Sequence, residues 1–290
     1  MAGKRVTSFD LIVYSIVTMI SVLCILPFIY VISVSLTDSS VYVPFKFYFF
    51  PEKLSFRTYS YILGKPDFIY ALRSTLFITI VGTVLNIIVT FTFAYGLTKK
   101  DLPMRKFFMA LVMFALLFNS GIIPNYWLVK SMGLINSYWS IILPLLTDAW
   151  SIVIARSFLQ NLPSEIEESA MIDGCSYIQA FSRIVVPLSM AAIASLTLFF
   201  AVGHWNVYFK PLMYLTDYKK RTLQVYVKML LVDSITQEGN QAIGGQDDMA
   251  PPSETLRMAT VVLAMIPILC VYPFVQKYFM KGVMLGSVKG

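Results

Sequence analysis

The sequence predicts an all-α membrane protein of six transmembrane helices with one short cytoplasmic helix, and three observations carry that reading. Of the 290 residues, 57% are hydrophobic and only 13% are charged, whereas soluble domains carry about 25% charged residues. Mean hydropathy is +0.71, and 22 Phe, 17 Tyr, 15 Met and 4 Trp supply more apolar surface than one globular core can hide, so part of the solvent is lipid. The apolar residues also gather in six runs of about 20 residues or more, the length that crosses a bilayer as a helix. A cytosolic enzyme and a disordered scaffold are excluded. The net charge of +7 comes from Lys and Arg in short stretches, which is a topology signal and not a nucleic-acid-binding face.

The first run extends from Leu11 to Leu36. Lys4 and Arg5 precede it as in a signal peptide, but it is too long for a cleavable apolar region and no small-residue cleavage site follows, so it reads as a retained span. The others run from Leu72 to Leu97, Met104 to Ile123, Trp139 to Leu159, Ile184 to Phe209 and Met258 to Phe279. Lys4 and Arg5, then Lys99, Lys100, Arg105 and Lys106, then Lys277, Lys281 and Lys289 mark the cytoplasmic segments and place both termini on that side. The long loops 37–71 and 210–257 are expected outside, and the polar stretch 238–248 is expected to be a loop tip. This gives three parts: 1–71, the first span and first outer loop; 72–280, a five-span core; and 281–290, a cytoplasmic tail. Pro27, Pro124, Pro144, Pro187, Pro267 and Pro273 fall in or at the ends of spans. There they either kink helices around a cavity or bend them in the ordinary way.

Catalytic constellations are missing from the sequence. One His in the chain excludes HExxH and paired-His metal sites. No GxSxG elbow occurs, and no GxxxxGK[ST] phosphate loop, so hydrolysis of ATP would need another subunit. Cys24, Cys175 and Cys270 have no metal or disulfide spacing and read as small buried hydrophobes. His204 stands at the outer end of the fifth run beside Trp205. It is either a proton relay or part of an interfacial polar belt, and its position favours the belt.

The segment between the fourth and fifth runs carries the most information. Pro163 suits a first helical turn, Glu165, Glu167 and Glu168 complement the positive helix end, and Gly174 suits its stop. A cytoplasmic helix over 163–174 follows. Residues 161–182 hold four acids and no Lys or Arg. A helix lying on anionic lipid favours the opposite charge, so its partner is expected to be a protein groove.

Glu168-Ser-Ala-Met-Ile-Asp-Gly174 with Ile184-Val-Val-Pro-Leu188 resembles the EAA motif, E-A-A-x-x-D-G and then I-x-L-P, of permease subunits in binding-protein-dependent ABC importers. Ser169 replaces the first Ala and Val186 the Leu before Pro. With Leu162-Pro163, Trp205-Asn206, Pro211-Leu212 and the C-terminal Gly-Ser-Val-Lys-Gly290, the chain is similar to the second permease of maltose-type carbohydrate importers, in the branch for larger or modified oligosaccharides. The resemblance implies the type I importer permease fold and a non-catalytic subunit that forms half of a translocation path. Its implied partners are a second homologous permease, two cytoplasmic ATPase subunits that bind ATP and Mg, an extracytoplasmic solute-binding protein, an oligosaccharide and membrane lipid, with no nucleic acid. The implied location is a multi-pass place in a bacterial cell membrane.

Within that reading Glu168, Ser169, Ala170, Asp173 and Gly174 are expected to couple to the ATPase, with Ala170 on the face entering its groove. Asn119, Tyr126, Asp148, Trp205 and Asn206 are expected to serve the substrate path, and each has the alternative of an interhelical contact. Asp148, the only acid well inside a run, is expected to line the path or bond a neighbouring helix. An ion-coupled secondary transporter acting alone is the alternative function; it would need several buried carboxylates or symmetry-related broken helices.

Overall fold

The structure is a computed structural model that describes residues 7–38, 40–44, 46–118, 120–230 and 253–287. Regular structure among the described residues is helical, apart from one antiparallel bridge between Thr37 and Leu54. They fall in two compact units, one drawn from Met1–Phe68 and Val227–Ile266, the other from Ile69–Tyr226 and Pro267–Gly290. Val227–Ile266 groups with the N-terminal segment, because packing and not order along the chain defines a unit.

In the first unit, helix α1 (Ser8–Ser35) opens with the Thr7 amide donating to Asp10 at 2.9 Å and runs through Pro27 unbroken. Only Ser33, Val34 and Ser35 of α1 are buried. An exposed helix that is apolar on every side requires lipid around it. The segment that follows is ordered by hydrogen bonds: Ser33 Oγ donates to Phe49 O at 2.6 Å, Ser35 Oγ meets Tyr59 Oη at 2.7 Å, and the Asp38 amide donates to Lys53 O at 2.9 Å. A helix that periodicity did not reveal, α2 (Arg57–Gly64), forms within this loop. It has eight residues and buries only Thr58 and Ile62, too little apolar signal to stand out.

The second unit is organised around α3 (Pro66–Thr98), whose 33 residues span about 50 Å at 1.5 Å per residue and so exceed the bilayer core. Then come α4 (Arg105–Leu117) and α5 (Ile122–Ser131). The third predicted run thus becomes a helix of 13 residues, about 20 Å long. The backbone turns extended at Phe118, and Gly121 at φ 79° begins α5.

The fourth run is α6 (Trp139–Ile142), a 3-10 turn at Leu143–Leu145 and α7 (Ala149–Gln160), bent by 50°. After α8 (Ser164–Ile172) the fifth run starts with α9 (Tyr177–Ala180), a π-helical turn at Phe181–Val185 and α10 (Val186–Leu188). It meets α11 (Met190–Trp205) at 80°. Then follow α12 (Phe209–Tyr214), a 3-10 turn at Tyr218–Lys220, α13 (223–230) and α14 (Ser253–Ser287). Among the described residues three helices are long and apolar enough to cross a membrane, and five if each bent pair counts as one span.

Proline alone does not set the breaks. Pro144 and Pro187 lie at bent pairs, while α1 and α14 continue through Pro27, Pro267 and Pro273. The bends coincide with polar residues that hold the freed backbone: Asp148 caps α7, and the Ser189 amide donates to both Val185 O at 2.9 Å and Val186 O at 3.1 Å.

Two apolar clusters pack on α3. Phe91, Ala94 and Tyr95 meet Ala155, Leu159, Val185, Leu196 and Phe200, and nearer the start of the helix Ile78 meets Val129, Ile141, Ile142 and Tyr214. Cys24 and Cys270 are exposed and Cys175 is half-buried, which corrects the expectation that the cysteines are buried. The first two sit in long apolar helices, α1 and α14.

Candidate functional site

Two polar centres stand out in the second unit, one at the C-terminal end of α3 and one inside it. The first is built on α8. Pro163 begins the helix, Glu165 and Glu167 occupy its first turn, and Asp173 is its C-cap. Gly174 then takes φ 86°, the left-handed conformation that costs other residues about 1–2 kcal/mol. The Gly174 amide donates to Met171 O at 3.1 Å and the Cys175 amide to Ala170 O at 3.0 Å, which is the Schellman pattern. Ser176 at once starts α9 by accepting the Gln179 amide, while its own amide donates to the Gln179 side chain at 2.9 Å. A stop and a start within three residues fix the angle between α8 and α9.

The residues predicted to couple are distributed differently from expectation. Glu168, Ser169, Asp173 and Gly174 are exposed, and Ser169 Oγ donates back to Glu165 O at 2.8 Å. Ala170 is only 8% exposed, so its methyl group packs inside the chain and does not form an outward face; that expectation is corrected. The outward apolar side chains are Ile172, 86% exposed, and Ile178, 80% exposed, with Ile166 and Tyr177 beside them.

Glu167, which the sequence showed only as one acid among several, points inward. Its Oε1 accepts from Tyr95 Oη at 2.5 Å and forms an ion pair with Lys99. The Lys99 ammonium lies 4.1 Å from the Tyr95 ring centroid and 5.5 Å from that of Tyr177. Tyr177 Oη donates to Asp101 Oδ2 at 3.0 Å, and Tyr95 and Phe181 bring their ring centroids to 4.8 Å. Beside this cluster a cleft of about 260 Å³ is lined by Tyr95, Lys99, Leu162, Pro163, Ile166 and Glu167 among others.

The second centre lies nine residues earlier on α3, about 14 Å of helix. Asn86 Nδ2 donates to Leu145 O at 2.7 Å, and its Oδ1 meets His204 Nε2 at 3.2 Å. Thr90 and Thr147 pair at 2.9 Å. One face of α3 therefore holds the break in the fourth run and the end of α11 together. Both Asn86 and His204 are buried, which corrects the interfacial-belt reading of His204. The ring fits because position 82 is glycine: a Cβ there would stand 2.6 Å from His204 Nε2. No sequence pattern announces that pairing, 118 positions apart for Asn86 and His204.

Asp148 accepts the Ser151 amide at 2.9 Å and the Ser151 hydroxyl at 2.7 Å. It thus bonds the first turn of its own helix, not a neighbouring one, and it is exposed. Tyr126 packs its ring 6.1 Å from that of Tyr214. Trp205 is 4% exposed, so it offers no ring face to a sugar in this conformation. Asn206 is exposed, donates to Val202 O at 3.0 Å and accepts from Gln224 at 3.4 Å. Asn119, like the 238–248 stretch and the last three residues, lies outside the described residues. Each of the others engages a different neighbour. Just after α11, burial holds the Lys210 ammonium below the ordinary lysine range. No group of three or more His, Cys, Asp or Glu among the described residues is arranged to hold a metal ion.

The chain matches no family model. It is 42% identical over 283 residues, 97% of its length and 98% of the relative's, to the polygalacturonan/rhamnogalacturonan transport system permease protein YtcP of Bacillus subtilis. It is 40% identical over 272 residues, 93% and 91% of the two chains, to Protein LplC of the same organism. Among solved structures, a chain of a bacterial ABC transporter involved in the import of the acidic polysaccharide alginate superposes with TM-score 0.85 at 28% identity, covering 96% of this chain and 99% of that one. A second chain, from a bacterial alginate ABC transporter in complex with an alginate pentasaccharide-bound periplasmic protein, shares the fold alone, with TM-score 0.54 at 15% identity over 92% and 93%. An all-helical membrane chain with an acidic, Gly-stopped helix between bent spans, similar over nearly its whole length to these permeases, belongs to the ABC-importer permease family.

Proposed function

We propose that the chain is one of two related transmembrane subunits of an ATP-driven importer, that α8 and the start of α9 dock on a cytoplasmic ATPase, and that the cargo is an acidic oligosaccharide handed over by an extracytoplasmic binding protein. The observation that carries this is the α8–α9 corner. Ile172 and Ile178 stand outward on either side of a Gly174 turn, on a segment whose acids disfavour anionic lipid. An apolar pair on a fixed corner suits a protein groove. The ATPase holds ATP and Mg, since this sequence has no phosphate loop. Both termini then lie in the cytoplasm, as the basic segments indicate.

Support for the cargo comes from the relatives: the one is named for polygalacturonan and rhamnogalacturonan, and the solved transporter imports an acidic polysaccharide. The half-buried Lys210 provides a cation at the outer end of α11 that such a cargo would meet. The test is reconstitution of the chain with its sister permease, ATPase and binding protein in proteoliposomes, with labelled oligogalacturonate as probe. Uptake is expected only with ATP and all components present. Uptake by the chain alone on an ion gradient would establish the secondary-transporter alternative instead.

A further inference from the structure

We propose that Glu167 is a positioning residue that fastens α8 to the end of α3, so that a displacement of the ATPase-docking corner is carried directly into the span that holds the second polar centre. This rests on the reading that the α8–α9 corner docks on an ATPase.

Four acids lie between 161 and 182, yet only Glu167 turns toward the chain. Its carboxylate is held twice, by Lys99 and by the Tyr95 hydroxyl. Tyr95 lies in the last turn of α3 and Lys99 directly follows its end, so Glu167 grips the helix at its terminus. The Lys99 and Glu167 side chains are 19% and 22% exposed, which sets the pair apart from a freely hydrated surface ion pair. Around it Tyr95 packs against Phe181 with tilted rings, and the Tyr177 ring lies near Lys99 while its hydroxyl donates to Asp101. Residues from both sides of the Gly174 turn therefore converge on one stretch, 95–101.

Two consequences separate this role from docking. Glu167 is turned away from the outward face that Ile172 and Ile178 form, so its removal leaves the docking face in place. Nine residues further back along the same helix, Asn86 bonds the break in the fourth run and α11. A rigid helix carries a push at residue 95–99 to residue 86 without any intervening loop. Glu168, adjacent but exposed, has no such path and belongs with the docking face, so it contrasts docking with positioning.

The experiment uses the whole complex, permease pair, ATPase and binding protein, in proteoliposomes, and reads three quantities: ATPase retained on purification, ATP hydrolysed, and labelled oligogalacturonate imported per ATP. For Glu167→Ala the expected result is ATPase retention within about twofold of wild type and import per ATP lower by about tenfold, the scale of one charge-assisted hydrogen bond. Glu168→Ala, on the exposed side of the docking helix, is expected to lower ATPase retention and import together, leaving import per ATP within about twofold of wild type. Glu167→Lys combined with Lys99→Glu restores the pair with reversed sign and is expected to recover at least half of the import per ATP, which a purely structural loss at either position would not. Unchanged import per ATP in Glu167→Ala, or no recovery in the swapped pair, overturns the inference. Loss of the ATPase in Glu167→Ala also overturns it, by making Glu167 a docking residue. The docking reading fails separately, if Ile172→Asp with Ile178→Asp retains the ATPase.

Discussion

The two polar centres on α3 use different kinds of side chain for different ends. At residues 95–101 the groups are charged, partly hydrated and gathered from the α8–α9 corner; at residue 86 they are an amide and an imidazole, buried and gathered from two spans. In hydrocarbon an unpaired charge is expensive, so the inner centre works with an amide, an imidazole and two threonines, and the outer one can use a carboxylate and an ammonium. The difference implies that the inner centre sets how the spans stand together, while the outer one sets how they move with a partner.

The contrast is broken most severely at Gly82. Gly82→Val would place a side chain within 2.6 Å of the His204 ring, and overpacking of this kind costs about 1–3 kcal/mol. The purified permease pair should lose thermal stability in detergent, while a Glu167→Gln pair should not. Equal stability of Gly82→Val and wild type would show that His204 is not fixed there.

Asn86→Leu comes next. It leaves Leu145 O and His204 without their partner, and interhelical hydrogen bonds in membranes average about 0.6 kcal/mol with larger values for buried groups left unpaired. A stability loss of about 1–2 kcal/mol is expected, read from the same melting curves. Because Asn86 is downstream of Glu167 in the proposed chain of contacts, uptake per ATP should fall as well.

Asp148 gives the smallest effect and a useful split. Asp148→Ala removes the helix cap, at about 1 kcal/mol, whereas Asp148→Asn keeps an acceptor for the Ser151 amide and should cost only a few tenths. Uptake that falls in Asp148→Asn with stability unchanged would assign the charge to the substrate path; uptake equal to wild type at every substrate concentration would leave Asp148 as a cap alone.

Much of the outer centre was legible in the sequence. Gly174 predicted a left-handed stop and takes φ 86°, and the acids predicted the orientation of α8. Local chemistry sufficed because helix ends are set by residues within one turn. Glu167 was hidden among its neighbours, since Lys99 lies 68 positions away and nothing nearby says which acid turns inward. Ala170 misled for a related reason: periodicity gives a face, but not which face the chain folds over. The inner centre was less legible still. Asn86 was visible as a polar residue, and His204 as an ionisable one, but that the two meet depends on Gly82 leaving room, and a glycine in a span has many other uses. The bent fourth and fifth runs read as single spans because hydropathy averages over a break that Pro144 with Asp148, and Pro187 with Ser189, make locally.

The central claim is that the α8–α9 corner receives the ATPase. Its most direct test is co-purification of the ATPase with a permease pair carrying Ile172→Asp and Ile178→Asp. Ile172 lies in α8 and Ile178 in the first turn of α9, ahead of the apolar run Ile184–Phe209, so the pair should insert normally. The account predicts that the ATPase is lost and ATP-driven uptake with it; an ATPase that stays bound, with uptake at the wild-type rate, would contradict it.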